Sequence, residues 1–291
     1  MLDLNKIIEN TDLKYHKYLT KEKIIIFKQI ASTNSYLLDC AKNPDNQLIF
    51  CLAEMQTAGR GRLNRNWSSP LGNIYLSILW KFNPNLKNLL GLSPAIAVAI
   101  SRTLAAYGIE NISLKWPNDI LYEHSKLAGI LIETLAGIKH AQAVIGIGMN
   151  INNASMLEDD LAINNTSRLT KSNKLLPKPF PKQFLMNINN NTNNINIIFD
   201  LNILLGLLIT NILDILLIFE IQGLVPFVTE WQLKNYTLNK LVTIYNHNEQ
   251  SIITGLNKGI DNNGALIIEK FDNINHKYEL IKIYSGEVSV R

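Results

Sequence analysis

Residues 23–152 alternate short apolar runs with polar or glycine-rich segments, a pattern typical of a mixed α/β domain. Apolar, β-branched runs predict three strands in the first part of this region, at Lys23–Phe27, Leu48–Ala53 and Ile74–Trp80. A helix is predicted between the first two strands, running from Ser32-Thr33-Asn34 towards Cys40, with Ser32 as its N-cap. Residues 57–73 carry no regular periodicity and predict a loop.

A second helix and a run of short strands complete this domain. Ser93-Pro94 predicts the helix start, with a capping serine and a proline in the first turn, and Gly108 predicts the end of the helix after Tyr107. Short β-rich runs then predict four strands, at Ile112–Trp116, Ile120–Tyr122, Ala128–Thr134 and Ala143–Ile147. The strands indicate an antiparallel meander, and with the helix they indicate one mixed α/β layer structure.

An apolar segment at Leu201–Ile221 is about long enough to cross a bilayer, which takes ~20 residues. Its leucines and isoleucines recur near helical spacing, but Asp214 lies in the middle, where a charge is costly in lipid. No basic flank fixes an orientation across a membrane. The pattern therefore favours a buried amphipathic helix, with a membrane span as the alternative.

The chain around this helix divides into a connection and a terminal unit. Residues 155–200 are polar, and the Asn-rich run Asn187–Asn196 predicts a flexible connection. After the helix, four further strands are predicted, at Leu241–Tyr245, Ser251–Leu256, Ala265–Lys270 and Glu279–Tyr284. Glycines punctuate these strands, which indicates a small β-barrel.

Composition narrows the class of protein. The 291 residues, 47% of them hydrophobic, suffice for one large globular domain and a smaller one. A net charge of +4 mildly favours anionic partners but is too dispersed for a nucleic-acid stripe. Cys40 and Cys51 lack metal-ligand spacing and imply no disulfide framework. With no signal peptide in residues 1–10, a cytoplasmic location is expected.

The clearest chemical motif lies in the predicted loop. Gly59-Arg60-Gly61-Arg62 is followed by Arg65 and Trp67, which together supply a mobile backbone, bidentate anion donors and a flat face for stacking. Such a loop can close over a phosphate. A solvated basic surface loop is the alternative, because Arg-Gly spacing alone is a weak motif.

Two further motifs lie among the strands of the meander. In Lys115-Trp116-Pro117-Asn118-Asp119 the proline interrupts strand pairing, so Asn118 and Asp119 are displayed at a strand edge. A simple turn is the alternative, because it needs only Asn-Asp at this place. In the segment from Lys126 through Gly129 to Glu133, the lysine stands at the mouth of an apolar strand. It can neutralise a carboxylate or an α-phosphate, or simply end a turn in solvent.

The fourth motif is Gly146-Ile147-Gly148-Met149-Asn150-Ile151-Asn152. Its glycines permit close backbone approach, and Asn150 offers hydrogen bonds at a strand end. It is not a dinucleotide fingerprint, because a third glycine and a following helix are missing. A glycine-containing core strand is the structural alternative.

Taken together and in this order, the four motifs resemble the biotin–protein ligase family, and Ser32-Thr33-Asn34 is similar to its first biotin-binding motif. The resemblance runs from about Phe27 to Arg291 and includes Gly286-Glu287-Val288-Ser289 of the family's C-terminal SH3-like domain. It implies an α+β fold with a mixed, mainly antiparallel sheet and helices on one side, similar to class II synthetases. The implied domains are a leader at 1–25, a catalytic domain at 26–235 and an SH3-like β-barrel at 236–291.

The resemblance also implies roles for individual residues. The implied biotin contacts are Ser32, Thr33, Asn34, Gln56, Arg60, Gly61, Arg62, Lys126 and Gly129. The implied ATP and adenylate contacts are Arg62, Arg65, Trp67, Asn118, Lys126 and Asn150. Catalysis is assigned to Lys126, Arg60 and Asp119, and Asp119 is expected to help place Mg²⁺ or the incoming amine. No tightly bound metal is expected.

The implied reaction has two steps. The biotin carboxylate attacks the α-phosphate of ATP to give biotinyl-AMP and pyrophosphate, and a carrier lysine then attacks the mixed anhydride. The implied acceptor is a biotin carboxyl carrier protein of the acetyl-CoA carboxylase type. Only about twenty residues precede the first strand, too few for the winged helix of members that repress transcription, so DNA binding is not expected. No membrane partner is expected, and the chain is a monomer or a homodimer.

Two alternative functions stay open from the sequence. A lipoate or octanoate ligase or transferase shares the implied fold, but lacks the arginine-rich loop and the Lys115–Asp119 motif in this form. A regulator that binds biotin without transferring it is the second alternative, and the intact Lys126 and Arg60–Arg62 argue against it.

Overall fold

The computed structural model describes residues 1–43, 45–82, 89–135, 141–151, 200–246, 250–272 and 276–290. The predicted flexible connection at residues 155–200, including the Asn-rich run Asn187–Asn196, therefore lies outside the described residues except for Asp200.

A seven-stranded sheet forms the centre of the larger part of the molecule. Its strands are β1 (Ile24–Ile30), β2 (Leu48–Gln56), β3 (Ile74–Lys81), β4 (Ile112–Lys115), β5 (Asp119–Tyr122), β6 (Ser125–Thr134) and β7 (Gln142–Met149). They lie in the order β1-β2-β3-β7-β6-β5-β4. Only β1 and β2 pair in parallel within this sheet as described, and the four strands of the predicted meander pair antiparallel. The mixed, mainly antiparallel sheet is thus confirmed.

Five α-helices accompany the strands in the described residues. They are α1 (Leu4–Glu9), α2 (Thr33–Cys40), α3 (Leu92–Ala106), α4 (Leu201–Gln222) and α5 (Val228–Leu233). Short 3-10 helices lie at Leu13–Tyr18, Arg62–Asn64 and Val225–Phe227. The Ser32 hydroxyl accepts a hydrogen bond from the Ser35 backbone N–H at 3.3 Å, which confirms Ser32 as the N-cap of α2.

The two long helices cover one face of the large sheet, as expected for a helical layer on one side. Buried residues of α3 and α4 form one cluster with alternate strand positions such as Phe50, Leu76 and Ile147. The opposite face is covered over part of its area by α2, whose Leu37 packs in a second cluster with Cys51. Residues two apart on a strand share a face, so this division follows from the alternation along β2 and β3. The remainder of the α2 face is left for the cavity described below.

One predicted cap is wrong. Helix α3 begins at Leu92, one residue before Ser93, and its N-cap is Gly91, which has a φ of 84° and provides no side-chain cap. The Ser93 hydroxyl instead donates to the Pro117 carbonyl oxygen at 2.9 Å and so ties the helix start to the β4–β5 connection. The predicted end is confirmed, because Gly108 follows the helix with a φ of 83°.

Helix α4 is the apolar segment that also fits a membrane span by length and composition. In the structure most of its leucines and isoleucines pack into the main cluster against α3, which confirms a buried helix. Asp214 is not left alone: it accepts hydrogen bonds from Lys14 Nζ at 2.8 Å and from the Tyr15 hydroxyl. Burial and this contact raise the pKa of Tyr15 to about 12.

The N-terminal residues before β1 also belong to the main core. Helix α1 begins after Asp3, whose carboxylate caps it, and Ile7, Tyr15 and Leu19 are buried in the main cluster. No element is predicted from the sequence for this segment, since a helix of one and a half turns depends on packing for its stability. It therefore packs on α4 as part of the fold.

A five-stranded antiparallel sheet forms the C-terminal part. Its strands are β8 (Leu241–Tyr245), β9 (Ser251–Ile260), β10 (Leu266–Asp272), β11 (Lys277–Ile283) and β12 (Glu287–Val290), in the order β11-β10-β9-β8-β12. Strand β12 is not predicted from the sequence. The Trp116 indole N–H donates to the Gly264 carbonyl oxygen at 3.0 Å, which joins this sheet to the β4–β5 connection.

Candidate active site

A row of cross-strand partners runs over the exposed part of the α2 face of the large sheet. Paired residues on adjacent strands direct their side chains to the same face. The pairs in register are Lys115–Asp119, Asp119–Gly129, Gly129–Gly148, Gly148–Tyr75 and Tyr75–Ala53. Two ionisable residues, two glycines and a tyrosine therefore follow one another across this face. The glycines leave the middle of the row open.

A cavity of about 330 Å³ lies over this row, within the size range of small-molecule sites. Its walls come from α2, the arginine loop (residues 57–73), strands β2 to β7 and strand β12. The lining residues of the predicted site are Thr33, Asn34, Gln56, Arg60, Gly61, Arg62, Arg65, Trp67, Asn118, Asp119, Lys126 and Gly129. Segments far apart in sequence thus meet at one place.

Hydroxyl and amide groups form a connected network at the α2 end of the cavity. The Thr33 backbone N–H and hydroxyl both donate to Gln56 Oε1, at 2.9 and 3.1 Å, and Gln56 Nε2 donates to the Ser69 hydroxyl at 3.0 Å. The Ser77 hydroxyl lies 2.7 Å from Thr33 Oγ1 and 2.5 Å from Asn34 Oδ1. Neutral donors and acceptors of this kind suit a polar, uncharged ring such as a cyclic urea.

The arginine loop folds back on itself as a narrow ribbon. The Gly61 backbone N–H donates to the Arg65 carbonyl oxygen at 2.7 Å, and the Trp67 N–H donates to the Gly59 carbonyl oxygen at 2.9 Å. A side chain at Gly59 would collide with the Trp67 carbonyl oxygen, so glycine is required there for close backbone approach. These two backbone hydrogen bonds join the two arms of the loop.

The three arginines of this loop have different partners. Arg60 makes a bidentate ion pair with Glu133, at 2.8 and 3.1 Å, and Arg65 makes one with Glu287 of β12, at 2.6 and 2.9 Å. Arg62 donates to the neutral Asn118 Oδ1 at 3.2 Å and has no ion pair with a carboxylate among the described residues.

The charge on Arg62 is the least compensated of the three. Burial lowers the pKa of its guanidinium, and Glu287 and Asp119 oppose that effect from a distance. A guanidinium nevertheless stays protonated in proteins. Arg62 is therefore a half-buried cation that an incoming anion would stabilise.

Trp67 lies directly on the open middle of the row. An added Cβ at Gly148 would meet the Trp67 indole nitrogen at 2.5 Å, and one at Gly129 would meet Trp67 Cζ3 at 3.1 Å. The two glycines are cross-strand partners, so together they make a flat seat for the indole. The buried indole N–H has no hydrogen-bond partner in the described part of the chain.

Lys126 stands next to the indole and the predicted reaction centre. Its Nζ lies 2.7 Å from Asp119 Oδ1 and 5.2 Å from the centroid of the Trp67 ring. Asn118 is held beside them by two hydrogen bonds with the backbone of Ile130, at 2.8 and 3.0 Å. The arrangement puts an ammonium, a carboxylate, an amide and an indole on one side of the cavity. It can bind an anion next to a stacked ring.

Two predicted site residues are not part of the cavity lining as the described residues form it. Ser32 acts as the helix cap, and the Asn150 backbone N–H donates to the Leu127 carbonyl oxygen at 2.8 Å. Their predicted ligand contacts stay predictions. Among the residues not assigned to the site from the sequence are Ser77 and Glu287, which line the cavity, and Glu133, which pairs with Arg60. Ser77 could have been found from the sequence, because it is the polar position inside an apolar strand.

No group of three or more His, Cys, Asp or Glu side chains suited to a metal ion occurs within the described residues. Asp119, the predicted carboxylate for Mg²⁺, is already paired with Lys126.

Comparisons with known proteins agree on one family. Residues 26–150 match the biotin/lipoate A/B protein ligase family, and residues 237–291 match the biotin protein ligase C-terminal domain. The bifunctional ligase/repressor BirA of Escherichia coli is 33% identical over 274 residues, which are 92% of this chain and 74% of that protein. The biotin–[acetyl-CoA-carboxylase] ligase of Paracoccus denitrificans is 35% identical over 126 residues, 42% of this chain and 52% of that protein.

A solved structure shares the fold. The biotin protein ligase from Aquifex aeolicus in complex with biotin and ATP superposes with a TM-score of 0.67 at 24% sequence identity, covering 93% of this chain and 99% of that one.

Proposed function

The chain belongs to the biotin protein ligase family, and from that premise we propose that it activates biotin with ATP as biotinyl-5′-AMP and transfers the biotinyl group to a lysine of a biotin carboxyl carrier protein. The observation that carries the proposal is the meeting of the polar network at α2, the arginine loop and Lys126 around one cavity. A carboxylate and a phosphate need cations, and a bicyclic urea needs neutral donors and acceptors. The cavity offers both kinds of partner.

The biotin ring is assigned to the α2 end of the cavity. There Thr33, Asn34 and Gln56 form the hydroxyl and amide network, which can exchange hydrogen bonds with a ureido group without any charge. The carboxylate end of the ligand then extends along the sheet towards Gly129 and Lys126.

The first chemical step joins the biotin carboxylate to the α-phosphate of ATP. A carboxylate oxygen forms a bond to phosphorus while the bond to pyrophosphate breaks, so negative charge builds on the phosphoryl oxygens and on the leaving group. Arg62 and Lys126 are the cations assigned to stabilise this charge in a water-poor site. Lys126 is paired with Asp119 at 2.7 Å, so the anionic ligands compete with that carboxylate for its ammonium.

The second step transfers the acyl group. A neutral lysine amine of the carrier attacks the carbonyl carbon of the mixed anhydride, the bond from that carbon to the phosphate oxygen of AMP breaks, and the amine proton passes to solvent as the amide forms. Asp119 lies next to Lys126 and is the carboxylate assigned to orient the amine. Trp67 and Asn118 are assigned to hold the adenylate, with Arg65 nearby, and closure of the arginine loop protects the anhydride from water.

ATP acts as its magnesium complex in this proposal. Mg²⁺ is commonly held by one or two carboxylates together with substrate phosphates rather than by a full protein cage. Since the described residues offer no larger cluster, we assign the ion to the phosphates, with Asp119 as the nearby carboxylate.

The biotin assignment is preferred to lipoate or octanoate. The family matched by residues 26–150 includes biotin and lipoate ligases, but the domain family matched by residues 237–291 is that of biotin protein ligases. A carrier of the acetyl-CoA carboxylase type is the expected acceptor, in line with the name of the Paracoccus relative. Cytoplasmic location, oligomeric state and the lack of DNA binding stay predictions.

The test is transfer of biotin to a purified carrier domain. The chain, ATP, Mg²⁺ and labelled biotin should add one biotinyl group to one lysine of the carrier, and a carrier with arginine at that lysine should stay unlabelled. Lipoate offered in place of biotin should give little product. Transfer of lipoate but not biotin, or tight biotin binding without transfer, would contradict the proposal.

A further inference from the structure

Glu133 is the carboxylate at which three parts of the candidate site meet. It lies near the end of β6 and shares the cavity face with Gly129. Its two oxygens accept hydrogen bonds from the two terminal nitrogens of Arg60, at 2.8 and 3.1 Å. The same carboxylate also accepts a hydrogen bond from Asn34 Nδ2 at 3.0 Å. One side chain thus connects the sheet, the arginine loop and α2.

The Asn34 contact extends this connection into the polar network. Asn34 Oδ1 lies 2.5 Å from the Ser77 hydroxyl, and that hydroxyl lies 2.7 Å from Thr33 Oγ1. The amide of Asn34 therefore has a fixed orientation, with its NH₂ towards Glu133 and its oxygen towards Ser77. Gly146 leaves room for this amide, because any Cβ there would overlap it.

The charge of the Arg60 guanidinium is already compensated by a carboxylate. A bidentate Arg–carboxylate pair uses two of its N–H groups in the favoured fork geometry, and one terminal nitrogen also approaches the Ser35 hydroxyl at 3.4 Å. Arg62 has no such carboxylate partner among the residues described. Arg60 is therefore held by a carboxylate, whereas the charge of Arg62 can pair with an anionic ligand.

We propose that Glu133 is a positioning residue that clasps Arg60 and Asn34, and so holds the arginine loop and the α2 network in the geometry that binds biotin. The Arg60 side chain then anchors the loop rather than stabilising the reacting atoms. This inference rests on the proposed function. Because the clasp acts before chemistry, its loss lowers the population of the binding-competent state, which raises the apparent dissociation constant without changing the chemical step.

The test is a double-mutant cycle of E133Q, R60Q and the combined variant, assayed by biotin-dependent pyrophosphate release. Glutamine keeps the shape of Glu133 but replaces one carboxylate oxygen with an NH₂ group, which cannot accept a hydrogen bond from Arg60 or Asn34. We expect E133Q to raise the biotin KM roughly ten-fold, as for a partly exposed charge-assisted pair, with kcat within about two-fold of wild type. The double variant should be no worse than E133Q alone, since Arg60 acts through Glu133.

A matched control is available in the same chain. Arg102 and Glu230 form a bidentate pair between α3 and α5, with Nη2 donating to Oε2 at 2.7 Å and Nε donating to Oε1 at 3.2 Å. Their side-chain exposures are 37% and 30%, against 36% and 21% for Arg60 and Glu133. E230Q should leave the biotin KM unchanged. A similar rise in KM for E230Q would overturn the proposal, and so would a fall in kcat for R60Q with effects that multiply in the double variant.

Limited trypsin digestion of the ligand-free chain gives a second readout that does not depend on biotin chemistry. If the clasp holds the loop, E133Q should be cut after Arg62 and Arg65 several-fold faster than wild type, and E230Q should be cut at the wild-type rate. Equal rates for E133Q and wild type would refute the clasp. If wild type itself shows no biotin-dependent activity, the proposed function fails while this comparison still decides on the clasp.

Discussion

Replacing Gly148 with alanine should force Trp67 away from its seat on the sheet. The new Cβ would lie 2.5, 2.6 and 2.9 Å from three atoms of the indole, and these are the three nearest atoms to it. Carbon atoms in van der Waals contact stand about 3.5–4.0 Å apart, so the ring must retreat by roughly 1 Å. The backbone of Gly148 does not have a positive φ, so alanine itself fits the strand.

The size of the effect follows from the location of the clash. Overpacking by a methyl group costs about 1–3 kcal/mol when the neighbours cannot move freely. Trp67 belongs to the arginine loop rather than to the hydrophobic core, so we expect the free energy of unfolding to fall by about 1 kcal/mol or less. The remaining cost should appear as loss of the closed loop. In kcat/KM for biotin-dependent pyrophosphate release, about 1–3 kcal/mol corresponds to a roughly 5- to 150-fold decrease.

The assay compares this substitution in two backgrounds. Pyrophosphate release is measured for wild type, G148A, W67A and the double variant, with thermal unfolding of each as a check on the fold. Since all three clashing atoms belong to Trp67, alanine at 148 should cost activity in wild type and almost nothing in the W67A background. An equal loss in both backgrounds would refute the contact between Trp67 and Gly148 as the cause.

Three further predictions concern other parts of the molecule. Lys126→Ala should lower adenylate formation by about 10²–10³-fold while stability changes little, because its side chain is 41% exposed; near wild-type pyrophosphate release would contradict its role. Cys51 is fully buried and burial raises its pKa to about 12, so iodoacetamide at pH 8 should label Cys40 far faster in the folded chain; equal rates in mass spectrometry would argue against the packing of β2. The pKa of Tyr15 is raised from 10.0 to about 12, so its contribution to stability is complete below pH 10 and lost as pH rises through 12; Tyr15→Phe should flatten the fall in unfolding free energy over that window, and an unchanged slope would contradict it.

Local patterns predicted most elements of the fold but not how they are arranged. The strands and the two long helices follow from periodicity, and the Ser32 cap follows from a residue preference with a local cause. Ser93 has the same preference but bonds Pro117, a partner twenty-four positions away, so the local rule failed. Helix α1 escaped prediction because its stability comes from Ile7 packing on α4 rather than from its own sequence.

Local sequence likewise predicted some residues of the candidate site and missed others. Arg60, Asn118 and Lys126 stand in motifs that can be recognised along the chain, and the structure brings them to one cavity. Glu133 and Glu287 take their places through pairings with Arg60 and Arg65 across 73 and 222 positions. Nothing in a local window identifies such partners. The three arginines also look equivalent in sequence, and only their partners distinguish them.

The most direct test of the central claim is a pulse-chase experiment on the adenylate. The chain is incubated with labelled biotin and MgATP, passed over a desalting column, and then mixed with carrier domain and excess unlabelled biotin. If the cavity activates biotin and the closed loop retains the product, label should stay with the enzyme as biotinyl-5′-AMP and then move to one carrier lysine in a single turnover without further ATP. Label that is lost on the column, or that reaches the carrier only when ATP is added again, would contradict the account.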